Sequence, residues 1–172
     1  MARRWERSRS QRWRGRARVV EAASLLALAG AAQRWVPMVR WSALLGQHQR
    51  VPDSWLDGRI VALPVRAATP VESRVAGAIR RGSRRLPWEP TCLAQATTGQ
   101  IMLRRRGEPG VVVIGLRPVH VDGVTDWQAH AWLLGRRGAL TGGPAATGFT
   151  ATTVFIRPDG LRATEVELGD WA

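Results

Sequence analysis

The sequence predicts an α+β chain, with N-terminal helices followed by an antiparallel sheet. Two observations carry that prediction. Up to about residue 105 the apolar residues recur at helical spacing, and "TPVE" at residues 69–72 reads as a capping box ahead of a helix. From Gly110 the period changes to two: "VVVIG" is β-branched, Asp122-Gly123 is a hairpin dipeptide, and "DWQAHAWLL" alternates. A length of 172 residues suits one ordinary domain, or a domain with a small extra lobe, and no internal repeat is visible.

The elements follow in order. Residues 1–17 read as a basic, disordered tail, since the first 18 residues hold eight arginines and a single glutamate. Such a block is either a solvated tail or a nucleic-acid arm, and no recognition motif accompanies it. "VVEAASLLALAGAAQRW" imitates a secretory signal, but Glu21 stands at the start of its apolar part. The apolar run from Ala22 to Ala32 is too short to span a bilayer. The expectation is a packed helix from about Arg18 to Trp35, no membrane span and a cytoplasmic protein. Pro37 separates it from a second helix, "VRWSALLG", stopped by Gly46, so that residues 18–47 form a helical lobe. Residues 48–69 read as a connector with a short extended piece at "RIVAL", and residues 70–172 as the main domain.

Within that domain Thr69 caps a helix closed by Pro87. Thr91 caps the next, which makes Cys92 its first residue. Leu93, Ala96, Ile101 and Leu103 give that helix an imperfect apolar stripe, and Thr97, Thr98 and Gly99 lower its propensity. Arg104, Arg105 and Arg106 read as a solvated end suited to the macrodipole, with Gly107 as the stop. Beyond the first hairpin, "GRRG" is a turn, "ALTGGPAATGF" a loop, and "TTVFIRPDGLRATEVEL" a further hairpin with a Pro-Asp-Gly turn.

The formal net charge is +13, and every basic residue apart from three histidines is arginine. A charge of this size attracts anions, which keeps open a non-enzymatic, arginine- and tryptophan-rich nucleic-acid binder. A lone cysteine excludes an intrachain disulfide. Cys92 is therefore either a small buried apolar residue or a chemically used thiol. In the first turn of a helix, unpaired backbone N–H groups favour the thiolate and can receive an oxyanion. A base must come from elsewhere. His48 lies in the connector and His120 at a strand end, whereas His130 is mid-strand in "AHAW". Alone, such a histidine is either a hydrogen-bonded core residue or a catalytic base. Trp88, Trp127 and Trp132 gather near these positions, as core residues or as cleft walls.

"RVAGAIRRGSRRLPWEPTCLAQATTGQIMLRRRGEPGVVVIGLRP" and "DWQAHAWLLGRRGALTGG" resemble the stand-alone lasso peptide biosynthesis B2 proteins, leader peptidases of the transglutaminase-like superfamily. The segment from Val19 to Gly46 is similar to the helical start of the same proteins. The resemblance implies a papain/transglutaminase-like core, in which a helix bearing Cys packs on an antiparallel sheet bearing His. Residues 70–172 would then be the catalytic domain. It implies a cysteine protease with Cys92 as nucleophile and His130 as base, acting during maturation of a ribosomally made, post-translationally modified peptide (RiPP). Trp88 and Trp132 would wall the substrate cleft. No cofactor and no metal are implied. The implied partners are the precursor peptide, a separate leader-recognition protein and an asparagine-synthetase-like lasso cyclase. The family's third catalytic group is an aspartate about a dozen residues beyond the histidine, where this chain has "GALTGGPAATG" and no acid. Asp126 is the nearest candidate; Asp159, Glu165, Thr141 or a backbone carbonyl are the others, and a divergent member with impaired catalysis is the corresponding alternative.

Overall fold

A computed structural model describes residues 2–51, 68–136 and 138–156. Helix α1 (Ala2–Trp35) is followed by the short α2 (Met38–Trp41), strand β1 (Gln47–Gln49), α3 (Pro70–Ser83) and α4 (Cys92–Arg104). Strands β2 (Val111–Val121), β3 (Val124–Gly135), β4 (Gly138–Thr141) and β5 (Thr150–Ile156) complete the chain described. All pairings are antiparallel, in the order β1-β5-β2-β3-β4. The architecture is α+β, with the helices on one face of a five-stranded sheet.

The alternation of the strands divides the core. On the helical side Val112, Ala131, Leu133 and Phe155 pack with residues of α1, α3 and α4. On the other side Val111, Val113, Trp132 and Leu134 pack with Val51, Ala146 and Phe149. Helix α1 belongs to the first layer because Val19, Ala22, Leu26 and Ala29 recur every three or four residues and are buried. It meets α3 where Gly82 replaces a side chain: a Cβ there would stand 3.0 Å from the Ala23 amide nitrogen. The helices expected as a separate lobe thus share one core with α3, α4 and the sheet.

Several local expectations hold in detail. Thr69 and Glu72 form the capping box, with Thr69 Oγ1 accepting from Glu72 N at 3.2 Å and Glu72 Oε2 from Thr69 N at 2.7 Å. Asp122 and Gly123 both have positive φ, 51° and 77°, the conformation a two-residue hairpin turn requires. Three differences have physical reasons. Residues 2–17, expected as a disordered tail, continue α1, because arginine, glutamine and alanine propagate a helix once its packed half exists. Part of "ALTGGPAATGF", expected as a loop, is β4, an edge strand held by the backbone of β3. His48, expected in the connector, lies in β1 opposite Phe155, whose ring centroid is 5.7 Å away. "RIVAL", Asp159, Glu165 and the Pro-Asp-Gly turn lie outside the described residues. Among the described residues no helix is long and apolar enough to cross a membrane.

The arginine trio is not merely solvated. Glu21 of α1 receives Arg106 at 2.6 Å and Arg105 at 3.1 Å, tying α1 to the end of α4. Burial alone would push the Glu21 carboxyl up, but hydrogen bonds from Arg106 and Arg105 outweigh it and hold the group below the usual glutamate range. A depressed carboxyl contributes stability that is complete above its unfolded pKa and is lost as pH falls through the folded value. Glu21→Gln is expected to lower unfolding stability by roughly 1 kcal/mol at pH 7. In urea titrations that gap should close as the medium is acidified below about pH 4; a gap of constant size down to acid would contradict the pairing.

Candidate active site

Helix α4 begins where it does because Thr91 caps it. With φ −59° and ψ 156°, Thr91 is extended, and its Oγ1 accepts from Ala94 N at 3.1 Å. Its own hydroxyl proton goes to Gln33 Oε1 of α1, 2.6 Å away. Gln95 Nε2 donates back to Pro90 O at 3.0 Å, which fixes the segment entering the helix. Cys92 is therefore the first helical residue, half-buried, with a free thiol packed against the helical-side core. The first amide to join the helical ladder is Gln95 N, bonded to Thr91 O, and Thr91 Oγ1 takes Ala94 N. The Cys92 and Leu93 amides precede both, the position from which backbone donors can meet an oxyanion.

His130 sits on β3 opposite Gly115. It marks a boundary: Ala131 to Gly135 are buried, whereas Val124 to Ala129 are exposed. Its ring faces the second core layer, stacked on Trp132 at 6.0 Å between centroids and tilted against Phe149 at 5.2 Å. Nε2 lies 2.9 Å from the carbonyl oxygen of Gly142. A carbonyl only accepts, so Nε2 carries the proton and Nδ1 is left as the basic nitrogen. Gly142 can do this because it has φ +72° and no side chain; a Cβ would stand 2.7 Å from Ala131 O.

The sulfur and the imidazole thus leave the two layers by different faces. Ala131 and Leu133 face α4, and His130 and Trp132 face away from it. Among the described residues no hydrogen bond joins Cys92 to His130. A cavity of about 650 Å³ lies at the β4 edge of the sheet, and neither Cys92 nor His130 is among its lining residues. Its walls include Trp88, Pro90 and Gln95 around the start of α4, and Thr141 and Gly142 on the other side. Gly142 is both a wall of this cavity and the residue that holds the imidazole. Thr141 is 9% exposed and its Oγ1 has no partner among the described residues.

Two further site expectations are corrected. Asp126 is exposed, and its carboxylate accepts from the neighbouring Trp127 N at 2.7 Å. It lies four residues from His130, about 13 Å along an extended strand, too far to orient the ring. The ring's hydrogen-bond partner is instead the carbonyl of Gly142, twelve residues beyond the histidine. Trp132 is 1% exposed, a core residue beneath the histidine and no cleft wall, while Trp88, 50% exposed, does line the cavity. His120 is exposed on the projecting β2–β3 ribbon. Gln33, which locks Thr91, carries no signal in the sequence, since its partner stands 58 residues away. Among the described residues no three His, Cys, Asp or Glu side chains gather to hold a metal ion.

A family model described as "Transglutaminase-like superfamily" (Transglut_core3) matches residues 27–154. That span starts within α1 and ends in β5, taking in Cys92, His130 and Gly142. Comparison with curated proteins and with solved structures finds no match.

The geometry at Gly142 makes a spectroscopic prediction. Long-range ¹H–¹⁵N correlation of the histidine side chains should show neutral His130 as the Nε2–H tautomer. Gly142→Ala should cost about 1–3 kcal/mol through the positive φ, and should remove that tautomer preference; an Nδ1–H signal in the unmodified protein would refute the assignment.

Proposed function

The chain belongs to the transglutaminase-like superfamily, and from that premise we propose that it is a thiol peptidase that removes the leader from a lasso peptide precursor. The superfamily includes cysteine proteases and transglutaminases. The observation that carries the choice of nucleophile is the capped start of α4: the one thiol of the chain stands at N1 beside two unladdered amides. The histidine held by Nε2 on Gly142 supplies a base whose Nδ1 has no partner among the described residues.

In this reading the Cys92 thiolate attacks the scissile carbonyl, and the oxyanion is received by the first-turn amides. The C–N bond breaks as the imidazolium returns its proton to the leaving amine. That amine becomes the new N-terminus of the core peptide. Water, deprotonated by His130, then hydrolyses the thioester and releases the leader as a carboxylate. The reading requires the sulfur and the ring, which stand on different faces of the sheet here, to come together when substrate binds; the support for a cleft is the cavity walled by Gly142 and Trp88. A backbone carbonyl orients the ring without contributing a negative charge, which suits a slower enzyme than one with an aspartate there. The precursor arrives with a separate leader-recognition protein, and an asparagine-synthetase-like cyclase consumes the freed amine.

With precursor and recognition protein present, Cys92→Ala is expected to abolish leader removal; intact cleavage by this variant would reject the nucleophile. His130→Ala should lower kcat by about 10²–10⁴ with little change in KM. The meeting of the two groups has its own readout. The pH profile of Cys92 alkylation by iodoacetamide should move when His130 is removed. An unchanged profile would mean that sulfur and ring never pair, and the peptidase reading would fail.

A further inference from the structure

Helix α1 runs on past the core it packs against. Among its described side chains the first buried one is Val19; none of residues 12–18 is buried. Residues 2–18 are nevertheless helical throughout, an arm of about 25 Å at the α-helical rise. Arginine stands at positions 3, 4, 7, 9, 12, 14, 16 and 18 of it.

The described arginines of the arm fall into two pairs. Arg12 and Arg16 are four residues apart, and so are Arg14 and Arg18. At about 100° per residue the two pairs stand on opposite sides of the helix. Between them, on the side that continues into the core through Val19 and Ala22, lies Gly15. Between them on the side away from the core lie Trp13, 73% exposed, and Ala17.

The Arg14–Arg18 side continues onto the body of the protein. Glu21, one turn further along that side, receives Arg106 at 2.6 Å and Arg105 at 3.1 Å from the end of α4. Arg74 of α3 precedes Val75, which shares a core with Val19. Burial, and then Arg74, Arg106 and Arg14 in turn, hold the Arg18 guanidinium below the usual arginine range, against the pull of Glu21. One carboxylate thus serves a group of guanidinium ions drawn from α1, α3 and the end of α4. Like charges gathered in this way repel, and an added anion relieves the repulsion.

We propose that the arm docks in the major groove of double-stranded DNA and binds its phosphates without reading sequence. The groove is about 12 Å wide and admits one α-helix. It presents phosphates on both flanks, so Arg12 and Arg16 meet one strand while Arg14 and Arg18, with Arg74 beyond them, meet the other. An acidic protein patch or an anionic membrane offers charge on one side only and would leave one pair unanswered. Trp13 and Ala17 face the groove floor, and neither carries the bidentate hydrogen-bonding group that tells one base pair from another. The proposal goes beyond the peptidase reading and involves neither Cys92 nor His130.

The test is fluorescence anisotropy of a labelled duplex, titrated with the full chain between about 50 and 200 mM salt. Arg12→Gln with Arg16→Gln, and Arg14→Gln with Arg18→Gln, should each flatten the plot of log K against log salt by about 2 and weaken binding roughly tenfold. Glutamine sustains a helix, so neither pair of changes threatens the arm itself, and circular dichroism checks this. Arg81→Gln with Arg85→Gln removes the same charge elsewhere and should leave the slope in place. An unchanged slope in either arm variant, an equal fall in the Arg81 and Arg85 control, or a single strand bound as tightly as the duplex would overturn the proposal. Tighter binding to polyglutamate or to phosphatidylglycerol vesicles than to duplex at the same salt would also overturn it, and would assign the arm to an acidic protein or a membrane.

Discussion

The close contact of α4 with β3 is the constraint on which the site depends. Gly99 faces Leu133 and Ile79 so closely that a Cβ would overlap Leu133, and Ala94, Ala96, Thr97 and Thr98 beside it are buried as well. Small residues let the helix sink between α1, α3 and the sheet, and a close-packed interior fixes its depth. Gln100 fixes its position along the sheet by donating to Leu45 O at 2.8 Å and Gly110 O at 2.9 Å. One side-chain amide therefore joins α4 to the chain ahead of β1 and to the residue ahead of β2.

With α4 set in this way, its first residue is left half-buried against the helical-side core. Cys92 is half-buried, and His130 is the last partly covered residue before the β2–β3 ribbon projects. The ribbon carries exposed Val121, Val124 and Trp127, together with an Arg117–Gln128 hydrogen bond of 2.8 Å and the Arg117 guanidinium over Phe149. Phe149, itself covered by Arg117, packs against the histidine, while Gly142 holds it from the sheet edge. The groups around His130 are thus backbone and aromatic rather than acidic.

Much of this was readable in the residues, for local reasons. The capping box at Thr69, the cap at Thr91 and the Asp122-Gly123 turn are each decided within four residues, and all three stand as read. The stripe of α4 looked imperfect because it was compared with a one-sided helix; a helix covered on nearly every side needs small residues more than periodicity. β4 was invisible because an edge strand of four residues rests on its neighbour's backbone, not on its own side chains. The alternation of "DWQAHAWLL" puts Trp132 and His130 on one face, but it does not say which face α4 covers. A backbone carbonyl is among the sequence's candidates without a residue attached, since any residue offers one and only the fold selects Gly142.

Glu72 carries a consequence for how the chain assembles. One of its oxygens completes the cap of α3, and the other accepts Arg136 N at 2.7 Å from the turn between β3 and β4, with the side chain wholly buried. Until that turn has closed, docking α3 would strip water from a carboxylate and leave half of it without a donor. Helical layer and sheet margin are thereby obliged to form in a single all-or-none event, and the last backbone amides to exchange their hydrogens for deuterium should include Arg136 alongside the interior of α4.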